Sequence, residues 1–324
     1  MCAVRFTKRA LVGLFALALA PTFAAAQEYP SRPIDFIVPW GPGGGADLLA
    51  RTASKLMEPM LGVSLPVINV PGATGQVGLT KLVSGPTDGY NIEVMTGDTY
   101  SLFGAPHPRF KLSQITPLAI MIRQPSAFYV KQDAPWKDWK ELLEAAKTKT
   151  LKVATTGFGS PDDITVNYFR SLGYHFETVP YAKPGVRYTA ILGDHADVLY
   201  EQTGDVRSYV DNKQMRPVVI FYPHELDVGP FKGVPATGEM GMHISLPQLR
   251  TVIVKAGTSP AIVAKLSDAL GKVAQTAEYK DYLASQYADP NSYMTASEAK
   301  KWMADWLVKA HNIAAESAHK GLNK

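Results

Sequence analysis

Cysteine is almost missing from this chain: of 324 residues only Cys2 is one. That excludes disulfides, a catalytic thiol and any cysteine-ligated metal. Cys2 also precedes the one apolar run near the start rather than following it, which argues against lipid attachment at a processed cysteine. Long apolar stretches are missing as well. Ala10 to Ala20 comes nearest, and it falls short of the ~18 residues a membrane-crossing helix needs. Charge of one sign is missing too, with 33 lysines and arginines against 29 aspartates and glutamates. No basic run carries interleaved aromatics, so nucleic acid has no electrostatic footprint here.

Catalytic and nucleotide motifs are thin. There is no Gly-Lys-Ser or Gly-Lys-Thr, no Gly-x-Ser-x-Gly elbow and no His-Glu-x-x-His, and the seven histidines are scattered without ligand spacing. Gly41-x-Gly43-x-x-Ala46 nominally fits a dinucleotide fingerprint. However, Pro42 stiffens that loop, and no acidic residue ends the second strand, where Asn69-Val70-Pro71 stands. His195-Ala196-Asp197 reads as a surface turn at a strand start. The chain is expected not to be an enzyme and to need neither cofactor nor metal.

The first residues are informative. Arg5, Lys8 and Arg9 are followed by the apolar run and then by Ala24-Ala25-Ala26, the layout of a secretory signal peptide over 1–26 with Gln27 as the mature start. Without that leader the charge falls close to balance. The remaining ~300 residues, in a chain 46% hydrophobic, suffice for an ordinary core in two lobes.

Along the chain, short apolar runs alternate with glycine turns and helical patterns. Ile34–Val38 ends at Pro39-Trp40-Gly41-Pro42-Gly43-Gly44-Gly45; Val67–Val70 ends at Pro71-Gly72-Ala73-Thr74-Gly75; Asn91–Met95 ends at Thr96-Gly97-Asp98-Thr99. A further turn, Gly157-Phe158-Gly159-Ser160, follows Lys152–Thr155. This alternation predicts an α/β doubly wound sheet. Ligands of such sheets bind beyond the carboxyl ends of the strands, where helix starts present unsatisfied N–H groups and about half a positive charge. Gly43 to Ala46 and Ala73 to Gln76 can present two such starts to one carboxylate. Each turn taken alone is also explained by glycine's backbone freedom. Ser259-Pro260 and Thr295-Ala296-Ser297-Glu298 mark the starts of two late helices.

These residues carry a resemblance. Tyr29-Pro30-Ser31-Arg32-Pro33-Ile34 with Ile37 to Gly44, Asp47 and Arg51, then Asn69 to Gly75 with Gly78 and Pro86-Thr87-Asp88-Gly89-Tyr90, resemble the opening signatures of the extracytoplasmic receptors of tripartite tricarboxylate transporters, the Bug receptors. Gly157 to Ser160, Val179-Pro180-Tyr181, Gly193 to Asp197 and Val234 to Gly241 are similar to later landmarks. The resemblance implies a two-lobed periplasmic-binding-protein (Venus flytrap) fold, with lobe one at 27–124 plus 252–324 and lobe two at 125–251. The linking strands are expected near Phe128–Val130 and Thr251–Lys255. It further implies a periplasmic monomer that binds a small carboxylate (dicarboxylate, aromatic acid or amino acid) and hands it to the membrane subunits of such a transporter; presentation to a periplasmic signalling sensor is the alternative. By the same resemblance, ligand contacts are expected from Trp40, Gly43, Gly44, Gly72, Ala73, Thr74, Asp98 and Thr99 in lobe one, and from Phe158, Ser160, Asp163, Tyr181 and Glu201 in lobe two. Asp47 is expected to brace the first turn. Departures from the family pattern stand at Asp163, often histidine there, at Tyr181-Ala182-Lys183 and at Trp40. Trp40, Tyr100, Phe158 and Tyr181 could stack on an aromatic acid.

Overall fold

A computed structural model describes residues 28–105 and 107–322. The signal peptide expected over 1–26 lies outside the described residues.

The alternation seen in the sequence resolves into two sheets. The strands are β1 (Asp35–Val38), β2 (Val67–Asn69), β3 (Asn91–Thr96), β4 (Ile115–Gln124), β5 (Ser126–Lys131), β6 (Leu151–Thr155), β7 (Phe176–Pro180), β8 (Val198–Gln202), β9 (Met215–Phe221), β10 (Gln248–Lys255) and β11 (Met294–Thr295). The helices are α1 (Gly45–Leu61), α2 (Gln76–Ser84), α3 (Gly97–Ser101), α4 (Trp139–Ala146), α5 (Pro161–Ser171), α6 (Pro184–Leu192), α7 (Arg207–Asp211), α8 (Pro260–Gln275), α9 (Ala277–Ser285) and α10 (Ala296–Leu322).

The first sheet runs β11-β4-β10-β3-β1-β2 and the second β7-β6-β8-β5-β9. Each combines a parallel part made by strand–helix–strand crossovers (β2, β1, β3; β7, β6, β8) with an antiparallel part (β10 and β4; β5 and β9). Parallel crossovers cover both faces with helices, so the strands read as continuous apolar runs. The mixed order is that of a two-lobed periplasmic solute-binding fold.

The chain changes sheet in two places. β4 ends at Gln124 and β5 starts at Ser126, so Pro125 alone separates them; the return runs through 222–247. This corrects the expected linkers. Phe128–Val130 lies wholly within β5 and Thr251–Lys255 within β10, and all but Val130 and Lys255 are paired on both sides inside one sheet. β10 enters the first sheet at Gln248, paired with Gln124. β4, an almost unbroken apolar strand, lacks the glycine punctuation that marked the other strands.

Local chemistry sets the helix ends. α1 buries Leu49, Ala50, Ala53, Met57 and Leu61 along one stripe and stops at Gly62, whose positive φ of 71° lets its amide reach Glu58 O at 2.9 Å. Ser259 Oγ accepts from the Ile262 amide at 3.4 Å, and Glu298 Oε2 accepts from the Thr295 amide at 2.9 Å, so both expected caps form. α10 does not stay with the first sheet alone: it packs along α5, and its Ala310 and Ile313 share a core with Ile164 and Phe169.

Candidate functional site

β1 and β2 are parallel neighbours, so the turns that follow them lie side by side at one sheet edge. Asp47 organises the first. Its carboxylate accepts from the Gly43 amide at 3.0 Å, from Arg51 Nη2 and Nε at 2.9 and 3.0 Å, and from Asn69 Nδ2 at 3.0 Å, while Asn69 Nδ2 also reaches Trp40 O at 3.0 Å. Burial works against the charge, but the hydrogen bonds from Arg51, Gly43 and Asn69 prevail and hold the carboxyl below its ordinary range. Among the described residues, the amides of Gly44, Gly45 and Ala46 have no acceptor. They are the open donors of the α1 start. The second turn is left-handed throughout, with φ of 141°, 47°, 53° and 83° at Gly72, Ala73, Thr74 and Gly75. Two of those residues carry a Cβ, and such backbone persists only where its surroundings hold it. Thr99 Oγ1 presses against Gly75, and a Cβ on Gly78 would lie 2.7 Å from Pro39 Cβ.

The second lobe repeats the first device. Asp163 Oδ2 accepts from the Gly159 amide at 2.9 Å, the same four-residue reach as Asp47 to Gly43, and Oδ1 accepts from Thr178 Oγ1 at 2.7 Å. Ser160 Oγ donates to Gly157 O at 2.7 Å and caps α5.

Between the lobes the walls are in contact. Ser101 Oγ donates to Gly159 O at 2.6 Å, Thr156 Oγ1 donates toward Asp98 Oδ1 at 3.1 Å, Thr74 Oγ1 touches Gly157, and Pro184 lies so close to Gly44 that a Cβ there would sit 2.6 Å from Pro184 Cγ. What is left is a cavity of about 20 Å³ lined by Trp40, Gly44, Gly45, Ala46, Thr96, Asp98, Thr156, Pro184, Arg187, Tyr188, Glu201, Gln202, Asp205, Gln248 and Arg250. That is room for one water, far below the ~300 Å³ of a small ligand pocket. Trp40 is oriented by Nε1 donating to Thr96 Oγ1 at 3.2 Å.

Two buried ion pairs dominate the walls. Arg187 pairs with Glu201 within the second lobe, and Arg250 of β10 pairs with Asp205 across the lobes. Arg250 Nη1 also donates to Gln124 Oε1 at 2.7 Å. Desolvation raises the Glu201 carboxyl above its usual range, opposed by Arg187.

Of the residues expected from sequence, Trp40, Gly44, Asp98 and Glu201 line this cavity. Gly43 sits at its edge, held by Asp47. Gly72, Ala73, Thr74 and Thr99 are not part of its lining, and Thr74 reaches Gly157 of the opposite lobe. Ser160 and Asp163 brace their own turn, Phe158 is 66% exposed, and Tyr181 packs with the cluster around Tyr188 and Ile191. Tyr100 packs on Phe103 and Trp306 instead of facing a ligand. Sequence reasoning missed Arg187, Asp205, Gln248 and Arg250. Only Arg250 left a visible signal, a charge inside the otherwise apolar run of β10.

The comparisons decide the family. A sequence profile described as the tripartite tricarboxylate transporter family receptor matches residues 49–318. This chain belongs to that family. The tripartite tricarboxylate receptors and their structural neighbours are solute-binding proteins, not enzymes. Protein BugT of Bordetella pertussis is 24% identical over 321 residues, covering 96% of this chain and 97% of its own. A TctC solute-binding protein from Polaromonas is 27% identical, with TM-score 0.63 over 89% of this chain and 99% of that one. MatC of Rhodopseudomonas palustris, solved with bound malate, superposes with TM-score 0.79 at 20% identity, over 88% of this chain and 100% of its own.

Proposed function

We propose that this chain is an exported, periplasmic monomeric receptor that closes two lobes on a small carboxylate and presents it to the membrane subunits of a tripartite tricarboxylate-type transporter. The lobes divide at Pro125 and within 222–247. One observation carries the reading: the start of α1, with three amides lacking an acceptor, faces Arg187 and Arg250 across a cavity at the junction of the two sheets. An anion entering there meets the open amides of a helix N-terminus, beside two guanidinium groups that are already held by Glu201 and Asp205. Trp40, Gly43, Gly44 and the turn at Gly72 to Thr74 form the first-lobe side, with Asp98 and Thr99 beside them. Phe158, Ser160, Asp163, Tyr181 and Glu201 belong to the second-lobe side, where Ser160 and Asp163 shape the turn. Family membership and the malate bound by MatC support a carboxylate ligand.

Because the walls leave so little volume, ligand entry requires the lobes to part, and a ligand that contacts both lobes then favours reclosure. The test is a thermal-shift panel of mono-, di- and tricarboxylates, aromatic acids and amino acids. At a hundred times its dissociation constant a true ligand stabilises by about 2.7 kcal/mol. A panel without a single stabilising acid refutes the proposal.

A further inference from the structure

The cavity walls carry more negative than positive charge. Arg187 is committed to Glu201 and Arg250 to Asp205, and no further lysine or arginine lines the cavity among the described residues. Lys183 stands exposed outside, beside Gly41. Asp98, 3% exposed, has no cationic partner: its oxygens face Thr156 Oγ1 at 3.1 Å and accept from Gln248 Nε2 at 2.8 Å. Behind it, Asp162 accepts from the Thr156 amide at 2.8 Å and faces the same Thr156 hydroxyl at 3.0 Å. One hydroxyl proton cannot serve two carboxylates, so this pair is a donor short. Desolvation, and then the charge on Asp98, push the Asp162 carboxyl well above its ordinary range, which marks a place that gains from positive charge.

A second shortage lies on the other wall. The Asp205 side chain is 3% exposed and lines the cavity, yet its Oδ1 has no partner among the described residues. This carboxylate presses against Gly45, at the α1 start whose amides lack acceptors. Donors that need an anion and an acceptor that needs a donor therefore meet at one point. In the other direction, Arg250 Nε is a donor left without an acceptor.

We propose that the ligand is zwitterionic, an amino acid whose carboxylate meets the α1 start and whose ammonium is received by Asp98 and Asp205. This rests on the receptor reading above and narrows it. An ammonium brings three donors and a positive charge to walls that lack both, whereas a dicarboxylate adds a second negative charge beside Asp98.

The experiment is calorimetric titration with pairs of acids that differ by one α-ammonium: butyrate and 2-aminobutyrate, succinate and aspartate, glutarate and glutamate, 3-phenylpropionate and phenylalanine. In every pair that binds, the ammonium member should bind at least about tenfold tighter. Asp98→Asn should weaken that member about tenfold and should not weaken its counterpart, which loses a like charge beside it. An ammonium-free acid that binds as tightly as its partner, or alone among all acids tried, overturns the zwitterion and leaves the carboxylate receptor standing. Equal weakening of both members by Asp98→Asn does the same. No binding by any acid overturns both readings. If Asp98→Asn does not fold by circular dichroism, the pairs measured on the unaltered protein decide.

Discussion

Two aspartates show what one side chain contributes to a turn. Asp47 and Asp163 each reach back four residues to a glycine amide and then bond a second element, Asn69 in one case and Thr178 in the other. Removing either carboxylate frees a glycine-rich turn at the lobe junction. Asp47→Ala should cost about 1 kcal/mol of stability, the scale of a lost helix cap, and weaken carboxylate binding with the fold intact; calorimetry showing unchanged affinity would refute this bracing role. Glu201 is a different case, because its partner is a buried arginine. Glu201→Gln leaves Arg187 uncompensated and should lose about 3–5 kcal/mol in urea unfolding, whereas replacing both residues by apolar groups should recover most of it. Asp47 was legible as a brace because it falls at the start of an amphipathic pattern. Asp163 has the same local reach to a glycine amide, but its second bond, from Thr178 of a neighbouring strand, was not legible.

At the scale of elements, β3 carries an unusual load. Glu93 sits in its middle, 0% exposed, between Ile37 of β1 and Ile253 of β10, and neither carboxylate oxygen has a partner among the described residues. Burial alone raises its carboxyl well above its ordinary range. The sign follows from proton counts. Above the unfolded value the native state keeps a proton that the unfolded chain has released, so stability is full below about 4.5 and falls as pH rises toward the raised native value. Glu93→Met should therefore raise the melting temperature at pH 8 and flatten its decline from pH 5 to 8. A wild-type curve that is already flat would show that Glu93 is solvated or paired in solution. Helix starts were the most readable elements, since Ser259 and Thr295 act within their own turns. β4 was the least readable, because no glycine turn and helix follow it: Pro125 alone leads into β5.

For the whole molecule, the decisive feature is how tightly the lobes meet. Gly44 has a φ of −92°, so alanine fits its backbone, but a Cβ would lie 2.6 and 3.2 Å from two atoms of the Pro184 ring on the other lobe. Gly44→Ala should hold the lobes apart. We expect a larger radius of gyration in small-angle scattering and acid binding at least about tenfold weaker, because the closed population is reduced. Stability without acid should fall as well, because parting the lobes breaks the Arg250–Asp205 pair and the Ser101–Gly159 hydrogen bond. A compact variant with full affinity would remove the steric argument. α10 belongs to the same scale: it packs on α5 while its start pairs with the first sheet through β11, so closure and the seating of this helix are coupled.

The sequence by itself determined the alternation of strands and helices, the glycine turns at the strand ends, the helix caps and, through two long signatures, the family. All of these are local: periodicity, turn chemistry and capping act within a few residues and leave their pattern in order along the chain. Only the tertiary structure decided which charges share the cavity. Arg187 meets Glu201 and Arg250 meets Asp205 from positions 14 and 45 residues apart, and Asp98 shares a threonine with Asp162 across the lobe junction. The Arg250–Asp205 and Asp98–Thr156 pairings are set by where two sheets come to rest against each other, and Arg187–Glu201 by how α6 packs along β8; no local pattern of sequence encodes either.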